Sequence, residues 1–515
     1  MKLKFPRGAV VALALCAAAS AQINLYAALD GAQETPPVPT SATGVGRLTF
    51  NENGTCTYLV TATGLSSAIT NAHLHIGAVG VPGGVVFGLT QTAPGVPEWR
   101  GTSPVLSAAN KAALLTDGCY FNIHTGNFPG GEIRGQAIVV RRSRFKATLD
   151  GAQETPPVAT AVVGTAEAWL VEPENVLTYE VSAPVSGFAF AHIHDGAPGV
   201  AGPVIQPLNG VNTHYCGSMV LTAAEVTSLK AGNTYFNVHT AANPGGEVRG
   251  QILAANELFT TFCNGAQETP PNASTHTACG TFVLNAAAGT LSYSITTSLP
   301  AITAMHLHTG APGTSGGVAI GLTGTPPVMT GTTPALTAAQ LLNLRRGNLY
   351  LNLHTTAFPG GEIRGNLRHG GEPYGFGSPD GAGAAPRVEV FGYAGVGSTF
   401  DVVLLDAAPS SATFAFVGTQ GAFWPAAASV LPFDGSGFGA TSAFIWTDWD
   451  PTFFFPLATD AEGCAKLNIS LPALPLFDCF RVAVQFFTVD VAANPFGASV
   501  SDAINFRFAP ATFPY

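Results

Sequence analysis

Three histidines recur in one arrangement at three places along this chain of 515 residues. A His-x-His pair comes first, and a single histidine within Asn-x-His-Thr follows. Because residues i and i+2 of a strand point to the same face, each pair presents two imidazoles side by side. If the strand of the third histidine lies alongside, about 4.8 Å away, the sequence predicts a zinc or copper site. The predicted ligand sets are His73, His75 and His124; His192, His194 and His239; and His306, His308 and His354.

Two other interpretations of these histidines remain open. The rings can hydrogen-bond locally to the asparagine of each Asn-x-His segment and to the glutamate of the following turn, or they can form a pH-sensitive surface. The asparagines are Asn122, Asn237 and Asn352. His214, His276 and His369 have no counterparts in the other copies, so we assign them no shared role.

Further motifs surround the histidines in a fixed order. Gly-Ala-Gln-Glu-Thr-Pro-Pro begins at Gly31, Gly151 and Gly265, and each copy closes with Pro-Gly-Gly-Glu-x-Arg-Gly. The starts lie 120 (151 − 31) and 114 (265 − 151) residues apart. This period is that of a domain rather than of a solenoid unit. The chain therefore contains three tandem copies of one small domain.

Charged residues of these motifs are candidates for a supporting role. The glutamate and arginine of the closing motif share a strand face. They form either a surface ion pair worth less than ~1 kcal/mol or a second shell that orients a ligand histidine. The pairs are Glu132/Arg134, Glu247/Arg249 and Glu362/Arg364. Glu34, Glu154 and Glu268 of the Pro-Pro loop serve as a fourth ligand or as an acidic cap of that loop.

The pattern between the motifs is typical of turn-rich β structure. Short Val/Ile/Thr/Phe runs alternate with Gly and Pro, which predicts a sandwich or a small Greek-key barrel in each copy. Each copy also has one short helix, which begins at Ser107, at the capping box Thr222–Glu225 or at the capping box Thr337–Gln340. Gly118, Gly232 and Gly347 are predicted to end these helices.

The domain divisions follow from the repeats and the ends. A basic start, a short apolar stretch and Ala19-Ser20-Ala21 predict a signal peptide, and hence a secreted, periplasmic or cell-surface protein. No later apolar run is long enough for a transmembrane segment. The predicted divisions are 1–21 signal peptide, 22–142 repeat one, 143–255 repeat two, 256–369 repeat three, 370–386 Gly/Pro linker, and 387–515 a C-terminal β-sandwich.

The cysteines suggest disulfides, as expected of a secreted protein. Cysteines that occur together in one repeat and are missing together from the others suggest a shared bridge. The predicted pairs are Cys56–Cys119, Cys263–Cys279 and Cys464–Cys479. Cys216 is left over, as a buried free thiol or as part of an intermolecular bridge.

Together, the motifs resemble the CHRD domain, the repeat first named from chordin. The likeness rests on Gly-Ala-Gln-Glu-Thr-Pro-Pro, His-x-His and Asn-x-His-Thr followed by Pro-Gly-Gly-Glu-x-Arg-Gly, and it covers residues 23 to 368. The resemblance implies an extracellular, Ig-like β-barrel. We therefore predict an all-β protein of three tandem Ig-like or Greek-key β-barrel domains and a C-terminal β-sandwich. The cysteine-rich modules that chordin uses to bind growth factors are missing, so that activity is not implied.

Composition and motifs argue against several classes of function. The formal net charge of −10 argues against a nucleic-acid partner. No Ser/His/Asp order, phosphate loop or close acid pair recurs, which disfavours hydrolase and transferase chemistry. We expect a secreted protein that acts as an extracellular binding or structural module, contacts protein, polysaccharide or matrix, and binds copper or zinc at one histidine triplet per repeat.

Two alternatives stay open beside this expectation. One is an envelope scaffold without a ligand. The other is a metalloenzyme of oxidative defence, because His-x-His on a Greek-key barrel is similar to the copper site of Cu/Zn superoxide dismutase. The bridging histidine and the adjacent zinc ligands of that family have no counterpart here.

Overall fold

The computed structural model describes residues 2–4, 22–51, 53–208, 210–211, 213–383, 385–392, 394, 398–418, 423–424, 429–430, 433–434, 444–446, 454–471 and 481–507. Within them the chain is all-β, with three repeated domains followed by a β-sandwich, as predicted. The predicted signal peptide lies outside the described residues except for the backbone of 2–4. No helix among the described residues is long and apolar enough to cross a membrane.

Repeat one folds as a single curled antiparallel sheet. Its strands alternate in the way a half-buried sheet requires: in Ile23–Asp30, the side chains of Leu25, Ala27 and Leu29 are buried and those between them are more exposed. The strands are Ile23–Asp30, Thr43–Phe50, Cys56–Thr63, Ile69–Ile76, Val85–Gly88, Glu98–Thr102, Cys119–Thr125 and Ile133–Val139.

The order of these strands brings the histidine motifs together. Across the sheet the eight strands run fifth, fourth, seventh, eighth, first, second, third, sixth. The fourth strand carries the His-x-His pair and the seventh carries the third histidine, so they become neighbours although the helix and two strands separate them in sequence. The eighth strand, which carries the closing arginine, lies on the other side of the seventh.

Repeats two and three keep this order. Repeat two adds a short edge strand, and in both repeats a further two-residue strand pairs with the first strand of the repeat. The strands of repeat two are Arg141–Asp150, Val163–Glu172, Val176–Ser182, Phe188–Asp195, Val204–Pro207, Gly210–Val211, His214–Val220, Thr234–Thr240, Val248–Gln251 and Leu253–Ala254. Those of repeat three are Glu257–Asn264, Thr277–Leu284, Leu291–Thr297, Ala304–Thr309, Val318–Gly321, Val328–Thr332, Leu349–His354, Ile363–Asn366 and Arg368–His369. Each repeat also has a 3₁₀ turn at the start of its Pro-Pro loop: Gly31–Gln33, Gly151–Gln153 and Gly265–Gln267.

One short helix per repeat was predicted and is present: α1 (Ala108–Leu114), α2 (Ala223–Lys230) and α3 (Ala338–Arg345). The capping boxes of α2 and α3 are formed as predicted, and Ser107 caps α1. Beyond α2 and α3 the expected glycines take positive φ, but after α1 Asp117 does so (φ 61°) instead of Gly118. Asp tolerates this conformation better than most residues, so the turn is preserved.

The C-terminal part is a sandwich of two sheets. One contains Arg387–Gly392, Thr399–Leu405 and Ala465–Ser470, and Lys2–Lys4 pairs with it in parallel. The other contains Glu372–Tyr374, Ala412–Gly418, Phe454–Ala458, Arg481–Val489 and Ala498–Arg507. The segment predicted as a Gly/Pro linker therefore supplies a strand to this sandwich. Four two-residue strands complete the described part: Phe423–Trp424, Ser429–Val430, Phe433–Asp434 and Phe444–Ile445.

The sandwich packs against repeat two through buried polar contacts. Arg142 pairs with Glu389, and the indole of Trp169 donates to the carbonyl oxygen of Val390 over 3.1 Å. Because both partners of the ion pair are buried, removal of either one would leave an uncompensated charge. Apolar side chains from both domains close the contact: Trp169, Cys216, Phe391, Val403, Leu405 and Cys464.

The disulfide pattern differs from the predicted one. Cys464 is bonded to Cys216 rather than to Cys479, which lies outside the described residues. The bridge joins repeat two to the C-terminal sandwich across 248 residues of sequence. Cys216 is therefore neither a free thiol nor part of an intermolecular bridge. Comparison of the repeats with one another could not find this pair, because its members belong to different domains.

The other two predicted bridges are also wrong. Cys263 pairs in register with Ala278, so its side chain and that of Cys279 point to opposite faces of the sheet. The Cys263 thiol lies in the core, 3.9 Å from the carbonyl oxygen of Leu351. Cys56 and Cys119 are buried free thiols.

The joint presence of Cys56 and Cys119 has a different explanation from a bridge. The two side chains belong to one core cluster of buried residues. Burial raises the pKa of Cys119 to about 12, and burial also strongly raises the pKa of Cys56. The thiol form is thus strongly favoured, and both residues act as small apolar side chains.

Candidate metal centre

The nine predicted ligand histidines form three matching clusters. The strands that carry the His-x-His pairs, the HxH strands, are Ile69–Ile76, Phe188–Asp195 and Ala304–Thr309. The strands that carry the third histidines, the NxH strands, are Cys119–Thr125, Thr234–Thr240 and Leu349–His354. In every repeat the two are paired neighbours, as the metal hypothesis requires. The alternate residues of these strands, such as Leu74 and Ile123, fill the core. The imidazoles therefore lie on the outer face of the sheet.

The ring nitrogens of each cluster converge. The nitrogens that face inward lie within 4.8 Å of one another in all three repeats. Nδ1 of His73 is 3.3 Å from Nε2 of His124, and the matching separations are 3.4 Å in repeat two and 3.3 Å in repeat three. Tetrahedral coordination with bonds near 2.1 Å separates ligand nitrogens by about 3.4 Å. One edge of each cluster already has this length.

Backbone carbonyls hold two rings of each cluster in the orientation that a metal needs. His75 Nδ1 donates to the Gly83 oxygen over 2.9 Å, and His124 Nδ1 donates to the Pro129 oxygen over 3.1 Å. The proton of each neutral ring is thereby fixed on Nδ1, and the Nε2 lone pair faces the cluster. The same two contacts recur with Gly202 and Pro244, and with Gly316 and Pro359.

The middle histidine of each cluster has an unsatisfied nitrogen. Nε2 of His75, His194 and His308 is buried and has no hydrogen-bond partner. A buried polar atom without a partner costs free energy, and here it occurs at the same position three times. A ligand bound between the rings would remove this cost.

A tyrosine stacks on the middle histidine, which is the second of the His-x-His pair, and the closing arginine packs on that tyrosine. The Tyr120 ring stacks on His75 with centroids 5.0 Å apart, and the guanidinium of Arg134 lies 3.5 Å from the centre of the Tyr120 ring. Tyr235 with Arg249, and Tyr350 with Arg364, repeat the arrangement. Sequence reasoning missed these tyrosines, although each stands two residues before the asparagine of Asn-x-His.

Arg134 does not form a surface ion pair with Glu132. It is buried, and it donates to the carbonyl oxygens of Ala78 and Val81 over 2.8 and 3.1 Å. These carbonyls belong to the Gly/Pro loop that also supplies Gly83. Arg249 and Arg364 hold the equivalent loops in the same way. The arginine therefore supports the histidine through the loop and the tyrosine.

Glu132 has a separate structural task. Its buried carboxylate accepts hydrogen bonds from Thr40, Thr125 and Ser66. Burial alone would raise the pKa of Glu132, but these hydrogen bonds outweigh it and lower the pKa. Glu247 and Glu362 occupy the same place in their repeats. These glutamates fasten the Pro-Pro loop and the last hairpin to each other.

The glutamates of the Pro-Pro loop lie outside the histidine clusters. Glu34, Glu154 and Glu268 are buried near the closing arginine of their own repeat. Glu34 and Glu154 also lie beside the asparagine of the NxH strand. Burial raises the pKa of each to about 7, against the opposing effect of the arginine. None of them is within the 4.8 Å grouping of ligand atoms. Their position fits a loop cap better than a fourth ligand.

Seven of the nine histidines have a lowered pKa, which favours the neutral form that a metal requires. Burial lowers the pKa of His73, and the neighbouring His124 and His75 lower it further. Burial also lowers the pKa of His124, although the Pro129 carbonyl opposes this. The pKa values of His192, His194, His306 and His308 are lowered for the same principal reason.

The cluster of repeat two has an additional aromatic neighbour. The Phe190 ring lies 4.4 Å from His239 and 5.1 Å from His192, centroid to centroid. The corresponding residues are Asn71 and Ala304. Burial lowers the pKa of His239 to about 4; the Pro244 carbonyl opposes the shift and the other two histidines add to it.

The remaining histidines lie elsewhere. His214 pairs with Glu180, His276 lies near Ser298, and His369 pairs with Glu257 under Trp169. A further group of possible ligands consists of His214, Cys216 and Asp460. Because Cys216 is bonded to Cys464, this group has no thiolate to offer a metal.

Similarity to known proteins agrees with the sequence motifs. Chordin from Danio rerio is 27% identical over 244 residues, which are 42% of this chain and 25% of chordin. Chordin from Xenopus laevis is 26% identical over 256 residues, which are 45% of this chain and 27% of chordin. The chain thus spans about a quarter of the length of these relatives.

A solved structure, trypsin-activated alpha-2-macroglobulin from Escherichia coli, aligns with 94% of this chain and 42% of that chain at 8% identity. The TM-score of this alignment is 0.16. The CHRD domain matches at residues 25–137, 145–252 and 259–367, which together make up more than half of the chain. This chain belongs to the CHRD domain family, with three copies of the domain in tandem.

Proposed function

We propose that this protein is an extracellular binding protein whose three CHRD domains each bind one transition metal ion, zinc or copper. The observation that supports the metal most directly is the threefold recurrence of converging imidazole nitrogens, 3.3–3.4 Å apart along one edge. Local hydrogen bonding, the competing explanation, accounts for the Nδ1 atoms but leaves a buried Nε2 without a partner in every cluster.

Three histidines leave at least one coordination position for another ligand. A metal held in this way would supply a Lewis acid at the protein surface, able to take a carboxylate or imidazole from a partner molecule. In the metal-free cluster, His124 Nε2 accepts from His73 Nδ1, because the other nitrogen of His124 is committed to Pro129. Metal binding therefore requires that the His73 proton move to its outer nitrogen.

An extracellular location is supported by two features. The N-terminal sequence has the basic, apolar and small-residue order of a signal peptide. The bridge between Cys216 and Cys464 needs an oxidising compartment to persist. The partner is an extracellular protein, a polysaccharide or a matrix component.

Binding is favoured over redox catalysis. A dismutase-like centre pairs a copper site with an adjacent zinc site through a shared histidine. In the described residues, each cluster consists of three histidines with no second set of metal ligands attached to it. The dismutase alternative therefore lacks a specific observation in its favour.

The test is the metal content of the purified full-length protein, measured by mass spectrometry of the elements after equilibration with zinc or copper. We expect up to three ions per chain. The variant His73→Ala/His75→Ala/His124→Ala should bind one ion fewer and remain folded, because these side chains lie outside the core. His276→Ala is the matched control and should keep the wild-type content. Equal metal content in the triple variant and the wild type would refute the proposal.

A further inference from the structure

The Gly/Pro loops that follow the HxH strands differ in what covers them. In repeat three the loop, residues 310–317, lies against repeat one: Ala311 is 3% exposed and packs in the core cluster of repeat one. Pro312 is buried as well. In repeat one the loop, residues 77–84, is uncovered, with Val79 76% and Val81 51% exposed.

The contact made by repeat three shows what such a loop binds. The loop lies at the end of helix α1 in repeat one, where Ala311 joins the cluster that contains Leu114 and Leu115. The end of helix α3 makes contact beside the loop: the side chain of Asn348 donates to the Leu115 oxygen over 3.0 Å. Arg346 forms an ion pair with Asp117 at the same place. The tip of the loop reaches Lys111: a side chain added at Gly313 would lie 3.1 Å from its ammonium nitrogen. A CHRD loop thus docks on the helix end of another CHRD domain.

The loops of repeats one and three are equally well prepared for docking. Gly83 and Gly316 each accept a hydrogen bond from the middle histidine and donate one to the supporting tyrosine. The closing arginine holds the carbonyl oxygens of Ala78 and Ala311, respectively. A loop held in its bound shape loses little conformational entropy on association. Exposed valines on such a loop are therefore suited to an interface.

The helix ends of repeats one and three are already engaged, and that of repeat two is more open. Asp117 and Arg346 face each other across the contact of repeats one and three. At the end of α2, Lys230 is exposed and pairs only with Glu172 of its own repeat among the described contacts. Leu253, beside Gly232 at this end, is 53% exposed. An exposed leucine here complements the exposed valines of the repeat-one loop.

From these contacts we propose that loop 77–84 of repeat one docks on the α2 end of repeat two in a second copy of the chain, so that the protein self-associates. The occupant is a second copy because, within the described residues, the loop of repeat three rests on a CHRD helix end, and a second copy of the chain offers another helix end of this kind. The proposal does not depend on a bound metal, because the hydrogen bonds that shape the loop are present without one.

The test is the molar mass of the full-length protein, measured by light scattering after size exclusion and by sedimentation over a range of concentrations. We expect reversible association that Val79→Asp/Val81→Asp abolishes and that Leu253→Asp abolishes independently. Val328→Asp is the matched control, since Val328 is 54% exposed on an edge strand of repeat three. It should associate like the wild type.

Mixing the variants sharpens the test. A mixture of Val79→Asp/Val81→Asp with Leu253→Asp retains one intact loop and one intact receptor, so we expect it to form mixed dimers that neither variant forms alone. Circular dichroism checks that each variant is folded. A wild type that stays monomeric at every concentration, or association that both loop and receptor variants leave unchanged, would overturn the proposal.

Discussion

Repeats one and two carry the same three histidines in different surroundings. In repeat one the third histidine, His124, pairs across the strands with Asn71; in repeat two its counterpart, His239, pairs with Phe190. His239 is buried, whereas His124 is partly exposed. In repeat two the Phe190 ring thus lies against the third histidine, where repeat one has the polar side chain of Asn71.

The two repeats also differ in their attachment to the rest of the chain. Repeat two is joined covalently to the C-terminal sandwich by Cys216–Cys464, while the cysteines of repeat one remain buried thiols. The comparison teaches that duplication preserved the ligand geometry but allowed burial and tethering to diverge. The strand register fixes the geometry, whereas one side chain can change the surroundings.

Loss of the tether should have the largest effect. In Cys216→Ser/Cys464→Ser we expect the unfolding of repeat two and the sandwich to become easier by about 2–5 kcal/mol, because the unfolded chain is no longer cross-linked. Denaturant unfolding with hydrogen exchange as the local probe measures this. Protection in the core of repeat one should change little. Unchanged stability of repeat two would show that the buried ion pairs alone hold the contact.

The second largest expected difference between repeats one and two is their loss of stability at low pH. The pKa of His239 is lowered to about 4 from an ordinary value of 6.5. Below about pH 6.5 the His239 ring binds a proton in the unfolded chain but stays neutral in the folded repeat. The folded repeat therefore loses stability as the pH falls from about 6.5 towards 4. Glu154 acts in the opposite direction, because its raised pKa of about 7 makes stability fall as the pH rises from about 4.5 to 7.

Glu34 and Glu268 have the same raised pKa, so the glutamates do not distinguish the repeats. We therefore expect metal-free repeat two to lose hydrogen-exchange protection on acidification at a higher pH than repeat one, after correction for intrinsic exchange rates. Identical acid profiles in the two repeats would contradict a special environment at His239.

Replacement of the residue that pairs with the third histidine should have the smallest effect, confined to the pKa of that histidine. In metal-free Phe190→Ala we expect the pKa of His239 to rise from about 4 towards 6.5, because water regains access to the ring. Asn71→Phe is the converse variant and should lower the pKa of His124 further. Titration of the histidine ring protons by NMR measures both. If the His239 titration is unaffected by Phe190→Ala, its low pKa has another cause.

Much of the repeat was predictable from the sequence because its signals are local. Alternating apolar residues define strands such as Ile23–Asp30, and Thr222 with Glu225 defines the start of α2. The histidine clusters were predictable because a strand has a period of two and because the copies agree. The tyrosines Tyr120, Tyr235 and Tyr350 were missed, since a buried aromatic in a strand is most often a core residue.

The sequence by itself determined the all-β character of the chain, the three repeats and the histidines that share a face. Tertiary structure alone decided what depends on contacts between distant segments. Arg134 is buried under a loop rather than paired on the surface, and Cys464 bonds with Cys216 across 248 residues. Periodicity specifies which way a side chain points along its own strand. Only the packing of separate elements decides which groups it meets there.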